Sequence, residues 1–391
     1  MAGREKSIAP MGRSYEPQEA VGAGHARDRL RGQPPGKGIA LRAMKGAPAE
    51  PRPPAPEGRM PAAPGPRLEW TGLPIAERRI PPAPGDAGTL IILTHPACLL
   101  HDPGPEHPER PARLEAVLEG LRRHHCDADW REAPIVKLGD LRRVHDEALV
   151  RDVLEADVSG YRMLDPDTVM CPASRAAALR AAGAGVAAVD AVMNGEDRIA
   201  FCAVRPPGHH ATSGSAMGFC LFNNIAVAAA YALDKHGLER VAVVDFDVHH
   251  GNGTQAIFFN DPRVAYFSSH ESGIYPHSGA PYERGAGNIF NALLPPGSGG
   301  FRFQNTWADD LLPALDDFKP QLLLISAGFD AHMRDPLADL MLETEDFGWL
   351  TGQLRAVAQR HAGGRIVSML EGGYDLDALR EASVAHLDAL R

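Results

Sequence analysis

The chain has 391 residues and carries 50 acidic against 40 basic side chains, a formal net charge of −10, which argues against a surface built for nucleic acid. No apolar run reaches the roughly 18 residues that a membrane-spanning helix needs. Five widely spaced cysteines (Cys98, Cys126, Cys171, Cys202 and Cys220), with no C-x-x-C pair, exclude a disulfide framework and a cysteine zinc site and fit reduced thiols in a cytoplasmic protein.

Residues 1–88 hold 16 of the 34 prolines and 13 of the 40 glycines. No helical or alternating period survives there, so the segment is expected to be disordered: it buries too little surface to offset chain entropy. It carries 14 Lys+Arg against 9 Asp+Glu, and the remainder 26 against 41. An acidic body disfavours nucleic acid and suits a cationic substrate. The basic residues of the front segment are dispersed among acidic ones, unlike a transit peptide. It reads as a passive extension, with Met44 and Met60 as alternative starts.

From residue 89 apolar runs alternate with helical segments. Strands are expected at Thr89–Thr94, Ile199–Val204, Val264–Ser268, Ile289–Leu294, Gln321–Ser326 and Arg365–Leu370. Helices are expected at Pro111–Arg123, Asn224–His236, Thr254–Phe259, Phe303–Phe318 and Glu345–His361, with another closing the chain. Ser174 is expected to cap an alanine-rich helix through Met193, ended by Asn194-Gly195. Regular alternation over residues 89–391 predicts one α/β domain, a mostly parallel central sheet flanked by helices, with the active site at the carboxyl edge of the strands.

The stretch VAVVDFDVHHGNG, Val241–Gly253, carries the most chemistry. Four apolar residues run into Asp245, Phe246, Asp247, Val248, His249 and His250. On a continuing strand, Asp245, Asp247 and His249 would share one face, with Phe246 and Val248 on the other. Carboxylate-x-imidazole supplies two of the three ligands of a catalytic zinc. Asp330, which follows the apolar run Leu322–Ile325 and AGF, is the natural third, although an isolated aspartate at a strand end is commonly a helix N-cap. Two carboxylates and an imidazole suit zinc or ferrous iron with a position left open.

The pattern of a strand followed by a glycine-rich polar loop recurs at RPPGHH, DFDVHHGNG, SAGFD and LEGGY, and in a parallel sheet these loops meet at one edge. His209 and His210 can act there as an acid/base pair, with Asp245 and Asn252 as candidate orienting partners. Tyr374, after Gly372-Gly373, can donate to a developing oxyanion. Phe219 and Tyr275, on loops among glycines, either wall a pocket or plug the core. No nucleophile elbow or phosphate-binding loop follows a strand.

Together HPERPARL, RPPGHH, GFCLFNN, DFDVHHGNGTQ, SAGFDAH and LEGGYDL resemble the arginase-fold histone deacetylase family, which includes acetylpolyamine amidohydrolases. The resemblance runs from about Leu90 to Leu390. It implies zinc held by Asp247, His249 and Asp330, and His209, paired with Asp245, as an electrostatic stabiliser. It implies His210 as general base and then acid, and Tyr374 polarising the scissile carbonyl. It places Gly218, Phe219 and Tyr275 on an acyl-lysine tunnel, and Arg113 near an internal acetate channel. A structural potassium would fall on Asp245, Asp247, His249 and Ser268, largely through backbone carbonyls. Asn252 stands where class I enzymes have an aspartate, as in class II-like and bacterial members. Leu337 stands where polyamine deacetylases carry an acidic gatekeeper, with Asp335 and Asp339 nearby.

The resulting expectation is a metal-dependent amidohydrolase that removes acetyl or longer acyl groups from lysine side chains of proteins or peptides. Its nearest rival is an acetylpolyamine amidohydrolase. An inactive acetyl-lysine-binding module is disfavoured because every catalytic position carries a competent residue. An arginase-type dimanganese hydrolase would need bridging carboxylates that His249-His250-Gly251 does not offer.

Overall fold

Strands buried on both faces read as unbroken apolar runs and belong to parallel sheets covered by helices. The computed structural model describes residues 90–391; the expectations for residues 1–88 and for Thr89 lie outside the described residues. In chain order the strands are β1 (Ile91–Thr94), β2 (Asp129–Glu132), β3 (Arg162–Asp165), β4 (Thr168–Met170), β5 (Ile199–Cys202), β6 (Val241–Asp245), β7 (Val264–Glu271), β8 (Ile289–Leu294), β9 (Leu322–Ala327) and β10 (Ile366–Leu370). Eight of them form one sheet in the order β2-β1-β5-β10-β9-β6-β7-β8, parallel at every pairing. β3 and β4 form a separate antiparallel hairpin. The α/β expectation therefore holds, with a sheet that is wholly parallel.

β6 is an interior strand of the sheet, with Val241–Asp245 in register with Val264–Ser268 on one side and Leu322–Ser326 on the other. Val241, Ala242, Val243 and Val244 are fully buried; each such valine stabilises the fold by about 1.5–3 kcal/mol. The helix Ser174–Met193 would pass for a membrane span by length and composition alone, yet most of it is buried as a core helix. A Cβ on Gly183 would lie 1.9 Å from the carbonyl oxygen of Pro134, and one on Gly185 3.0 Å from Met369 Cε. Small residues let this helix close on the sheet, which accounts for its alanine-glycine composition.

Several expectations need correction. Ser174 is the first helical residue rather than the N-cap, which is Ala173; its hydroxyl accepts from Cys171 N (2.8 Å) and pairs with His101 Nδ1 (2.7 Å). The helix expected over Phe303–Phe318 is three pieces, Gly300–Thr306, a π-helical turn Trp307–Leu311, and Leu312–Phe318. Pro313, at the start of the last piece, has no N–H to continue an α ladder, and Leu312 N donates to Trp307 O in the wider turn. β2, the β3–β4 hairpin and the helix Glu147–Leu154 were not expected, since DWRE and RMLD are partly exposed and mixed in polarity and TVM is only three residues long. All five cysteines are free, and only Cys126 is exposed.

Candidate active site

The four loops singled out above follow β5, β6, β9 and β10, and β5-β10-β9-β6 are consecutive neighbours at the centre of the sheet. In a parallel sheet their carboxyl ends open on one crevice.

Strand geometry ends sooner than expected. β6 stops at Asp245, so Asp247 and His249 lie on the loop and are brought round by local bonds rather than by β alternation. Asp247 N donates to Asp245 Oδ1 (3.2 Å), and His249 N donates to Asp247 Oδ1 (2.9 Å). The apolar alternates behave as expected: Phe246 and Val248 are buried, with Phe246 against Phe329, Phe347 and His386. Asp245 accepts from Tyr266 Oη (2.9 Å) at the oxygen that faces His209.

Asp247, His249 and Asp330 offer ligand atoms all within 4.8 Å of one another. His249 Nδ1 lies 3.1 Å from Asp247 Oδ1 and 3.2 Å from Asp330 Oδ2. Main-chain donors fix both carboxylates, Gly372 N to Asp247 Oδ2 (2.9 Å) and Val248 N to Asp330 Oδ1 (2.9 Å). Glycine is required around them: a Cβ on Gly328 would lie 2.0 Å from Asp247 Oδ2, and one on Gly372 2.0 Å from Asp330 Oδ2. Burial pushes the His249 pKa down, but its bonds to Asp247 and Asp330 overcome this and raise it to about 10. Two buried carboxylates thus face one imidazole and favour positive charge between them. This donor set, with its glycine cradle, fits a divalent cation of the zinc type.

His209 Nδ1 bonds Asp245 Oδ2 at 3.0 Å. Its burial disfavours charge, yet Asp245 and then Asp247 hold its pKa well above the usual histidine value. His210, its ring tilted at 47° to that of His209 with centres 4.0 Å apart, has a neutral partner, Asn252 Oδ1, at 2.8 Å from Nδ1. An acceptor there puts the hydrogen on Nδ1 and leaves Nε2 free. Burial, followed by the neighbouring His209 and His249, pushes the His210 pKa well below the usual range. The pair therefore consists of one histidine inclined to carry charge and one inclined to remain neutral.

Tyr374 is buried apart from about a tenth of its surface, and its backbone N–H donates to Asp335 Oδ2 (2.7 Å). Phe219 stands edge-on to its ring at 6.0 Å, and Tyr275 edge-on to His210 at 5.1 Å, so both aromatics border the crevice instead of plugging the core. Gly218 and Phe219 both have positive φ, 56° and 68°, and a Cβ on Gly218 would strike the His210 ring at 2.4 Å. Leu337 is about a third exposed. Asp335 is not an exposed acid: it accepts from the backbone of Leu337, Tyr374 and Asp375, and burial raises its pKa to about 7. Asp339 is exposed. Of the residues expected around potassium, Asp245 and Ser268 are cross-strand partners, with Asp247 and His249 on the loop that follows.

Residues 107–390 match the family described as the histone deacetylase domain. The chain belongs to the histone deacetylase family. The histone deacetylase-like amidohydrolase of Pseudomonas aeruginosa is 42% identical over 276 residues, covering 69% of this chain and 72% of that protein. Polyamine deacetylase HDAC10 of Homo sapiens is 39% identical over 304 residues, 70% of this chain and 43% of the human one. The solved HDA15 HD domain matches with a TM-score of 0.73 at 33% identity, over 77% of this chain and 88% of its own. Membership of the histone deacetylase family makes this chain a hydrolase of amide bonds, and the arginase-like fold is the one expected.

Sequence reasoning missed several groups that shape the site. Glu371, fully buried, accepts from Gly208 N (2.6 Å) and His209 N (3.2 Å), tying the histidine loop to the tyrosine loop. Burial pushes its pKa up to about 7. Asp167 Oδ1 and Thr168 Oγ1, from the unexpected hairpin, accept from Gly218 N (3.1 Å) and Phe219 N (3.0 Å). The glutamate stood in view within LEGGY; the hairpin has no apolar period to announce it.

Proposed function

We propose that this chain is a zinc-dependent deacylase acting on acylated lysine side chains. The observation that carries the reading is the convergence of the Asp247–His249–Asp330 triad, the His209–His210 pair and Tyr374 on one crevice at four adjacent strand ends. Zinc held by the triad would supply Lewis acidity to water and to the amide carbonyl. His210 Nε2, unprotonated because Asn252 holds the hydrogen at Nδ1, takes the proton of the attacking water and returns it to the leaving amine nitrogen. His209, charged beside Asp245, stabilises negative charge as it develops, and Tyr374 donates its hydroxyl to the same oxyanion. Phe219 and Tyr275 hold the acyl-lysine stem in an apolar passage, and Gly218 gives that wall room beside His210. Asp245, Asp247, His249 and Ser268 would supply a structural potassium through backbone carbonyls, in the cytoplasm where that ion is abundant.

Leu337 at the mouth and the withdrawal of Asp335 into backbone bonds favour lysine over a polycationic amine. The human relative, named as a polyamine deacetylase, keeps the second reading open to test. Acetate release by zinc-loaded protein, measured on acetyl-lysine peptides and on acetylated polyamines with a chelated control, separates them. Chelator-sensitive turnover that favours peptides is expected. Preference for polyamines would replace the lysine reading, and loss of both activities with zinc bound would refute acetyl as the acyl group.

A further inference from the structure

Glu109 belongs to HPERPARL, lies away from the reacting atoms and has no exposed surface. Arg113 Nη1 (3.0 Å) and Arg205 Nη2 (2.6 Å) both donate to it, Arg205 Nε donates as well, and His101 Nε2 lies 3.3 Å away. Burial opposes its charge, but the Arg205 guanidinium and then His101 hold its pKa well below the usual carboxylate range. Burying this many charges is costly, and apolar side chains of similar volume stabilise a core at least as well. The arrangement therefore calls for a role beyond stability.

Arg113 shows where that role leads. It is fully buried, and the donors not given to Glu109 go to the loop that carries Tyr374. Nε donates to Gly373 O (2.6 Å) and Nη2 to Glu371 O, the carbonyls on either side of Gly372. The guanidinium carbon lies 4.8 Å from the centre of the Tyr374 ring. The loop supplies little rigidity of its own, since Gly372 and Gly373 precede the tyrosine and Gly373 has φ +122°. Glu109 fixes the fork of Arg113, and that fork fixes both the main chain and the ring face of Tyr374.

We propose that Glu109 is a positioning residue for amide hydrolysis, holding Tyr374 at the scissile carbonyl through Arg113; this rests on the role given to Tyr374 above. The bland alternative is that Glu109 only pins the helix starting at Pro111 to the histidine loop through Arg205. Its loss would then slow every form of the enzyme equally.

The test is a double-mutant cycle on the zinc-loaded full chain with an acetyl-lysine peptide, comparing Glu109→Gln, Tyr374→Phe and the double variant. Glu109→Gln is expected to lower kcat by about tenfold to a hundredfold, the scale of a misplaced catalytic group, with KM and zinc content unchanged. In the Tyr374→Phe background the same change should cost less than about twofold, because the hydroxyl it positions is gone. An equal loss in both backgrounds overturns the proposal. Fluorine NMR of 3-fluorotyrosine-labelled protein reads position without turnover. The Tyr374 signal, identified by its loss in Tyr374→Phe, should shift and broaden in Glu109→Gln while that of Tyr266 stays, and an unmoved Tyr374 signal overturns the proposal.

Should Glu109→Gln not fold, Glu109→Asp keeps the charge between the guanidiniums but falls short by a methylene. It should show a smaller loss, again cancelled by Tyr374→Phe. If Tyr374→Phe alone keeps full turnover, the role of the tyrosine falls and this inference with it. A slow Tyr374→Phe beside an unaffected Glu109→Gln sinks only the inference.

Discussion

Buried histidines occur at the carboxyl edge of the sheet and again in the packed interior, and the two groups differ in their partners more than in their burial. At the edge, His209 and His249 face carboxylates and His210 faces an amide oxygen. In the interior, His386 sits between Thr351 Oγ1 (2.6 Å) and Ser368 Oγ (2.9 Å) beneath Phe201, Phe246 and Phe329. His145 is held by Thr212 O and Asn223 N. Burial lowers the pKa of His145 to about 4 and that of His386 to about 3, whereas carboxylates reverse that effect at His209 and His249. Neutral partners keep an imidazole uncharged, as a structural group at His386 and as a free base at His210, and carboxylates make a place for positive charge, on the ring or on a metal.

The contrast breaks most sharply under substitution. His210→Ala should lower turnover by about 10²–10⁴-fold, the scale of general acid–base catalysis, with zinc content and unfolding midpoint preserved. His386→Ala should do the reverse, costing about 2–4 kcal/mol of stability through a cavity and the orphaned Ser368 hydroxyl, with kcat per folded molecule unchanged. Urea unfolding and steady-state assays on both variants check the pair; a stable but inactive His386→Ala would erase the distinction.

Acid should sharpen the comparison. A histidine whose folded pKa is lowered contributes its full stability above its unfolded value, near pH 6.5. Below that the unfolded chain takes up a proton that the native state refuses, until pH reaches the folded values near 4 and 3. Each such residue should remove about 1.4 kcal/mol per pH unit over that window. Unfolding free energies at pH 7.5 and 5.5 check this, and His386→Phe should flatten the slope by one residue's share. A slope unchanged by that substitution would assign it to other groups.

The smallest expected effect is at the mouth. Leu337→Glu should raise the ratio of polyamine to peptide kcat/KM by about tenfold, on the order of one charge acting near a partly exposed cation, without altering zinc content. An unchanged ratio would show that position 337 does not face the substrate.

The parts of the fold legible in the sequence were those whose burial is local. Unbroken apolar runs announced β5, β6, β9 and β10, and the polar residues that close those runs announced Asp247, His249, Asp330 and Tyr374. Partnership across the chain was less visible. Asp245 and Asn252, candidate partners for the two histidines, do bond His209 and His210, but the bonds between Glu371 and Gly208 and His209, between Asp167 and Gly218, and between Glu109 and two arginines join segments with no periodicity in common. β alternation also carried too far: it put Asp245 on the face of Asp247 and His249, whereas the strand ends at Asp245 and loop bonds complete the triad.

The central claim, one cation held by Asp247, His249 and Asp330 as the seat of hydrolysis, is tested most directly by titrating zinc into metal-stripped protein while following both bound metal and acetate release. Activity should rise linearly and stop at one equivalent, and Asp330→Asn should abolish both tight binding and turnover. Full activity in the stripped protein, or a rise that continues to two equivalents, would contradict the single-metal account.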